Sequence, residues 1–251
     1  MAATRLAFLI TGLWWLIFGI PIIRNVRQKY GIEPHPHPVR DSFARLKSTL
    51  SHIRNYRSVF IFLVAYFFYI DGVDTIIRMA TPIALSMGID SDTLLIILLV
   101  IQIVAFPCAI LYGRLAVRFS AWKMLFVGIG VYVGVVLVAF FLPSIDDLGR
   151  RTALFWVLSL MVASSQGGIQ ALSRSIYGKL IPKERSAEFF GFYNIFGRFA
   201  AIMGPFLVAG VTQITGQERF GVLSILIVFI VGGVMLAVGG DPDASVERRD
   251  V

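Results

Sequence analysis

Seven stretches of this 251-residue chain are continuously apolar for about twenty residues each, the length an α-helix needs to cross the hydrocarbon core of a bilayer. They run from about Thr4 to Ile23, Ser58 to Pro82, Thr93 to Tyr112, Lys123 to Leu142, Thr152 to Ser173, Glu188 to Gln213 and Phe220 to Val238. In lipid every backbone polar group must be satisfied within the segment, so all seven read as helices. A membrane β-barrel is excluded, because its strands alternate over about ten residues and these runs do not. The composition agrees: 57% of residues are apolar and 15% charged, against roughly 25% charged in a soluble domain. The expected class is all-α, a polytopic membrane helix bundle. The first run has one early cation, Arg5, like a signal peptide, but it lacks a small-x-small cleavage pattern and reads as a retained span.

The formal charge of +8 would suggest nucleic acid in a soluble protein. In a membrane protein excess Lys and Arg sit beside anionic headgroups, so lipids and not nucleic acid are the expected partners. Seventeen of the 23 cations fall in the connectors after spans one, three and five and in the tail; only Arg5, Arg150, Arg151 and Arg219 fall on the other side. The positive-inside rule then puts the N-terminus outside and the C-terminus in the cytoplasm of a plasma or inner membrane. The resulting plan is a first span (1–23), a basic cytoplasmic linker (24–57), six spans (58–239) and a cytoplasmic tail (240–251).

The linker holds Pro34, Pro36 and Pro38, then an amphipathic stretch with Phe43, Leu46, Leu50 and Ile53 at helical spacing, suited to the membrane surface. His35 and His37 within it lack further ligands, so no metal site is expected. The single cysteine, Cys108, excludes an intramolecular disulfide. No P-loop, G-x-S-x-G or HExxH is present, and all three histidines lie in the linker; no cofactor and no enzymatic site are expected.

The stretch GGIQALSRSIYGKLIPKERSAEFFGFYNIFGRFAAIMGP, Gly167 to Pro205, resembles the signature of the autophagy-related vacuolar effluxer-like branch of the major facilitator superfamily. AYFFYIDGVDTIIRMA, Ala65 to Ala80, is similar to that family's seventh helix, and GRLAVRF, Gly113 to Phe119, to the superfamily's cytoplasmic loop motif. Gly113, Arg114 and Arg118 match the loop motif; Val117 stands where it has aspartate. The resemblance covers Arg54 to Gly239 and implies the C-terminal six-helix half of a major facilitator fold plus one preceding span. It also implies secondary transport of a small solute, with amino acids as one class, and a cavity closed by a missing N-terminal half or a second copy.

Ionisable groups within a bilayer are costly, which makes those present candidates for a solute or proton pathway. Asp71, Asp74 and Arg78 share one face of the second span, Asp74 and Arg78 in the acid-first order that favours pairing. By helical rise Asp71 lies ~20 Å, Gln102 ~18 Å and Arg198 ~15 Å into the membrane, so the three are expected near one level. Gln166, Gln170 and Asn194 lie lower, ~6 to 10 Å from the cytoplasmic face, as an inner vestibule. Tyr66 and Tyr69 belong with the cavity because their hydroxyls need partners, whereas Phe67 and Phe68 suit packing or lipid. The plain alternative is that these groups pair and hydrogen-bond between helices. Gly130 with Gly134, and Ala200 with Gly204, have the spacing for close helix approach, and Pro107 and Pro205 fall within spans.

Seven spans with an outside N-terminus is also the plan of a receptor. Its retinal version is excluded, since the final span has no lysine. An inert remnant of a broken transporter gene is the third reading.

Overall fold

The computed structural model describes residues 2–26 and 56–241. The amphipathic stretch, His35, His37 and nearly all of the tail lie outside the described residues. The chain divides into two units, Met1–Arg45 and Leu46–Val251. In the first, α1 (Ala2–Asn25) is apolar around its whole circumference and carries Pro21, and Trp14 packs on Phe18 one turn on, with ring centroids 4.4 Å apart.

Among the described residues the second unit has six long α-helices: α2 (Arg57–Ser86), α3 (Ser91–Phe119), α4 (Ala121–Phe141), α5 (Leu148–Leu180), α6 (Ser186–Thr215) and α7 (Glu218–Gly239). With α1, the described residues hold seven helices long and apolar enough to cross a membrane. The chain is a multi-pass all-α membrane bundle. Several helices outrun the expected spans because their polar ends are capped. Asp147 accepts the N–H of Arg150 at 2.7 Å and starts α5 ahead of Thr152, and Asp90 accepts the N–H of Thr93 at 2.8 Å and starts α3. The Thr93 N–H, and then its hydroxyl, hold the Asp90 carboxyl below the usual carboxylate range. The loop motif Gly113 to Phe119 is not a loop; it forms the last two turns of α3.

Two three-helix groups make up the bundle: α2, α6 and α7 pack together, as do α3, α4 and α5. They join through α4 against α7 and α2 against α5. At one end Ser120 separates α3 from α4 and bonds Asp241 beyond α7 at 3.1 Å, and Tyr56 meets the Phe189 ring of α6 edge-on. This end gathers Arg57, Arg114, Arg118, Lys123, Lys179, Lys183 and Arg185. At the opposite end the Arg151 guanidinium donates to the carbonyls of Met87 at 2.7 Å and Ile145 at 3.0 Å, tying the α2–α3 turn to the α4–α5 turn.

Lipid is as apolar as leucine, so packing and buried hydrogen bonds rather than burial alone must hold such helices together. Small residues allow it. A Cβ on Gly167 would sit 2.9 Å from Ala109, and one on Gly168 would enter the Tyr112 ring, so α3 and α5 touch backbone to ring there. Tyr112 then bonds Ser165 at 2.8 Å. Of the Gly130 and Gly134 pair expected to do this, Gly134 faces α5, where a Cβ would sit 3.5 Å from Met161, but Gly130 faces open space, and the tight approach is at Gly128, against Ile169. Spacing alone does not select Gly128 over Gly130, because α4 is apolar all round and its pattern does not mark which side meets lipid.

Candidate functional site

A cavity of about 820 Å³ opens between α2, α5 and α6, and it is polar where the rest of the bundle is apolar. Each of the three helices presents a polar residue and, four residues on, an arginine: Asp74 and Arg78 on α2, Gln170 and Arg174 on α5, Asn194 and Arg198 on α6. Spacing of four stacks the two side chains on one helical face a turn apart. Tyr66 and Tyr193 form the wall between α2 and α6, their rings stacked with centroids 4.1 Å apart. Gly197 leaves the room for it; a Cβ there would sit 2.8 Å from the Tyr66 hydroxyl.

Six of the expected pathway residues therefore line one cavity: Tyr66, Asp74, Arg78, Gln170, Asn194 and Arg198. The expected Asp74–Arg78 pair is not closed to ion-pair distance; both side chains line the cavity. Arg78 is exposed where Asp74 is half-buried, and a pair of this spacing with an exposed member gains only a few tenths of a kcal/mol, too little to hold two side chains together against their entropy.

Four expected residues lie elsewhere. Gln102 and Gln166 line a smaller cavity of about 170 Å³ between α2, α3, α4, α5 and α7, walled mainly by Ile, Leu and Val. The shared level of Asp71, Gln102 and Arg198 does not bring them together, because depth along a helix says nothing about direction around it. Tyr69 is fully buried, with its hydroxyl 2.7 Å from Ser173 Oγ. Asp71 is fully buried too: its Oδ1 accepts the backbone N–H of Gly204 on α6 at 2.8 Å, while Oδ2 and the neighbouring Thr75 Oγ1 have no partner. In the loop motif, Gly113 faces open space, Arg114 is exposed and the Arg118 guanidinium lies 5.4 Å over the Phe119 ring.

Comparison with known proteins settles the family. The family profile described as vacuole effluxer Atg22 like matches residues 1–242. The chain belongs to the Atg22-like branch of the major facilitator superfamily. The Atg22-like chain is 52% identical over 236 residues to the uncharacterized MFS-type transporter YxiO of Bacillus subtilis, which covers 94% of this chain and 54% of that protein. It is 29% identical over 250 residues to autophagy-related protein 22 of Coccidioides immitis, 89% of this chain and 41% of that one. It is 25% identical over 248 residues to autophagy-related protein 22 of Saccharomyces cerevisiae S288c, 86% and 46%. The chain spans about half the length of the curated relatives it matches. No solved structure matches it.

Sequence reasoning missed Arg174 and Tyr193 in the Atg22-like cavity. Arg174 follows the last apolar residues of the fifth run and reads as a loop cation, yet α5 continues to Leu180. The signal was present in the chain: Gln170 and Arg174 repeat the polar-x-x-x-Arg spacing of the other two helices.

Proposed function

We propose that this chain forms one wall of the solute path of a secondary transporter, with a second wall supplied by another six-helix half or a second copy. The observation that carries the reading is the polar cavity of α2, α5 and α6, open on one side of a bundle that is otherwise apolar. Ligand sites of secondary transporters lie between two repeats, and alternating access rocks one against the other, so a single wall binds solute without moving it. Tyr66, Asp74, Arg78, Gln170, Asn194 and Arg198 are the pathway residues in this reading, joined by Arg174. Asp71 acts on the path only by holding α6. Amino acids are one substrate class that family membership supports. The protein sits in the plasma membrane, N-terminus outside and C-terminus in the cytoplasm, on the support of its charge distribution.

The test is reconstitution. The chain alone in liposomes should bind solute without net flux, and flux should appear when it is paired with the remaining half of a close relative such as the Bacillus subtilis protein. Flux in the paired protein that survives Arg198→Gln and Asn194→Leu together would remove the cavity from the path.

A further inference from the structure

The polar cavity holds more positive charge than a neutral amino acid can use. Arg78, Arg174 and Arg198 line it against a single carboxylate, Asp74. Among the described residues none of these four forms an ion pair or a side-chain hydrogen bond, whereas Arg185 pairs with Glu188 outside the cavity. A zwitterion brings one carboxylate and one ammonium. It would occupy one guanidinium and Asp74 and leave two cations of this wall without an anion when a second wall covers the path, where an uncompensated charge is costly.

We infer that the cavity takes a small organic solute with two acidic groups, each received by an arginine, and that Asp74 decides how well the solute's amine, if it has one, is tolerated. The inference rests on the solute-path reading proposed above. Three guanidiniums on three helices thus line one cavity, and two of them can hold one carboxylate each. A guanidinium takes a carboxylate in a planar two-pronged pair, which suits arginine rather than lysine at each of the three positions. The cavity volume of about 820 Å³ lies within the ordinary range of small-molecule sites, so the charge balance and not the size sets the selection.

The experiment uses the 251-residue chain purified in nanodiscs of zwitterionic lipid, with radiolabelled succinate, glutamate and leucine as probes. Succinate and glutamate should bind with Kd roughly tenfold or more below that of leucine. Arg174→Gln and Arg198→Gln should each raise the Kd of both dicarboxylates roughly tenfold, as expected for loss of one charge-assisted contact. Asp74→Asn should tighten succinate and weaken glutamate, a split that a purely structural aspartate would not produce. Unchanged gel-filtration profiles and melting temperatures keep the variants comparable. Leucine bound as tightly as the dicarboxylates overturns the dianion inference and leaves the solute path standing; so does dicarboxylate binding indifferent to both arginine changes. Succinate and glutamate moving together in Asp74→Asn overturns the role of Asp74. A cooperatively melting chain that binds none of the three overturns the inference and the solute path together.

Discussion

The Asp71 carboxylate on α2 accepts the backbone N–H of Gly204 on α6 at 2.8 Å, one residue before Pro205. Pro205 has no N–H to give to the carbonyl a turn earlier, and its ring crowds that carbonyl, so α6 is weakest at this point. A buried carboxylate from the next helix takes hold of the chain there. Gly204 is required for the contact, because a Cβ would run into Thr75 and lie 3.0 Å from the Asp71 oxygen.

Gly204→Ala should therefore separate α2 from α6 and lower the melting temperature of the purified chain. Overpacking of this kind costs about 1–3 kcal/mol. Thr75→Ala, which removes the hydroxyl that the new methyl would strike, should recover part of the loss in the double variant. A double variant no more stable than Gly204→Ala would place the strain elsewhere.

Asp71→Asn keeps an oxygen facing Gly204 and should be nearly neutral for melting, whereas Asp71→Leu strands a buried N–H at a cost of about 1–3 kcal/mol. Solute binding by the Asp71→Asn chain should match the parent, since Asp71 does not line the polar cavity. Loss of binding in a chain that still melts normally would contradict the clamp.

Tyr69 and Ser173 should respond unequally. The Ser173 hydroxyl donates to the Ile169 carbonyl at 2.6 Å, so Tyr69 is the donor in the 2.7 Å contact between them. Tyr69→Phe leaves Ser173 with its acceptor and removes the orphan along with the bond. Ser173→Ala leaves a buried phenol with nothing to receive it, which costs about 1–3 kcal/mol. Thermal melting should rank Ser173→Ala below Tyr69→Phe; the reverse order would reverse the assigned donor.

Asp90 links stability to pH. Its carboxyl is held below the usual range by Thr93, so the ionised form caps α3 in the fold. A depressed folded value contributes stability above the unfolded value and loses it as pH falls through the folded one. Asp90→Ala should thus lower the melting temperature at neutral pH, and the gap from the parent should close as pH falls below the normal carboxylate range. A gap constant with pH would deny the cap its charge.

Reporters test the orientation. One fused after Val251 should be cytoplasmic and one inserted at Ser144 to Asp147 outside, given the excess of cations at the end that holds Ser120 and Arg185. Exchanged signals would invert the bundle.

The spans were legible because lipid imposes a length on an apolar run and permits only helix within it. Helix ends were not, since caps such as Asp147 and the polar tail of α5 look like loop residues in a hydropathy reading. The site was half legible for the same reason. Asp74 with Arg78 and Asn194 with Arg198 stood out as polar breaks inside apolar runs. Arg174 lay past the end of one, and Gln102 and Gln166 were placed by depth when the deciding variable was azimuth, which helices apolar on all sides do not encode.

Ser120 is the whole connection between α3 and α4, in a positive-φ conformation (φ 85°) that glycine adopts more readily. A joint one residue long works like a fixed key between two shafts. Each residue inserted there would turn α4 by about 100° relative to α3, carrying Leu125, Ile129, Tyr132 and Val136 out of the interior and into lipid. Homologous chains should consequently vary in length at the α4–α5 turn long before they do so at this joint, and tags or hinges engineered into the bundle belong at the former.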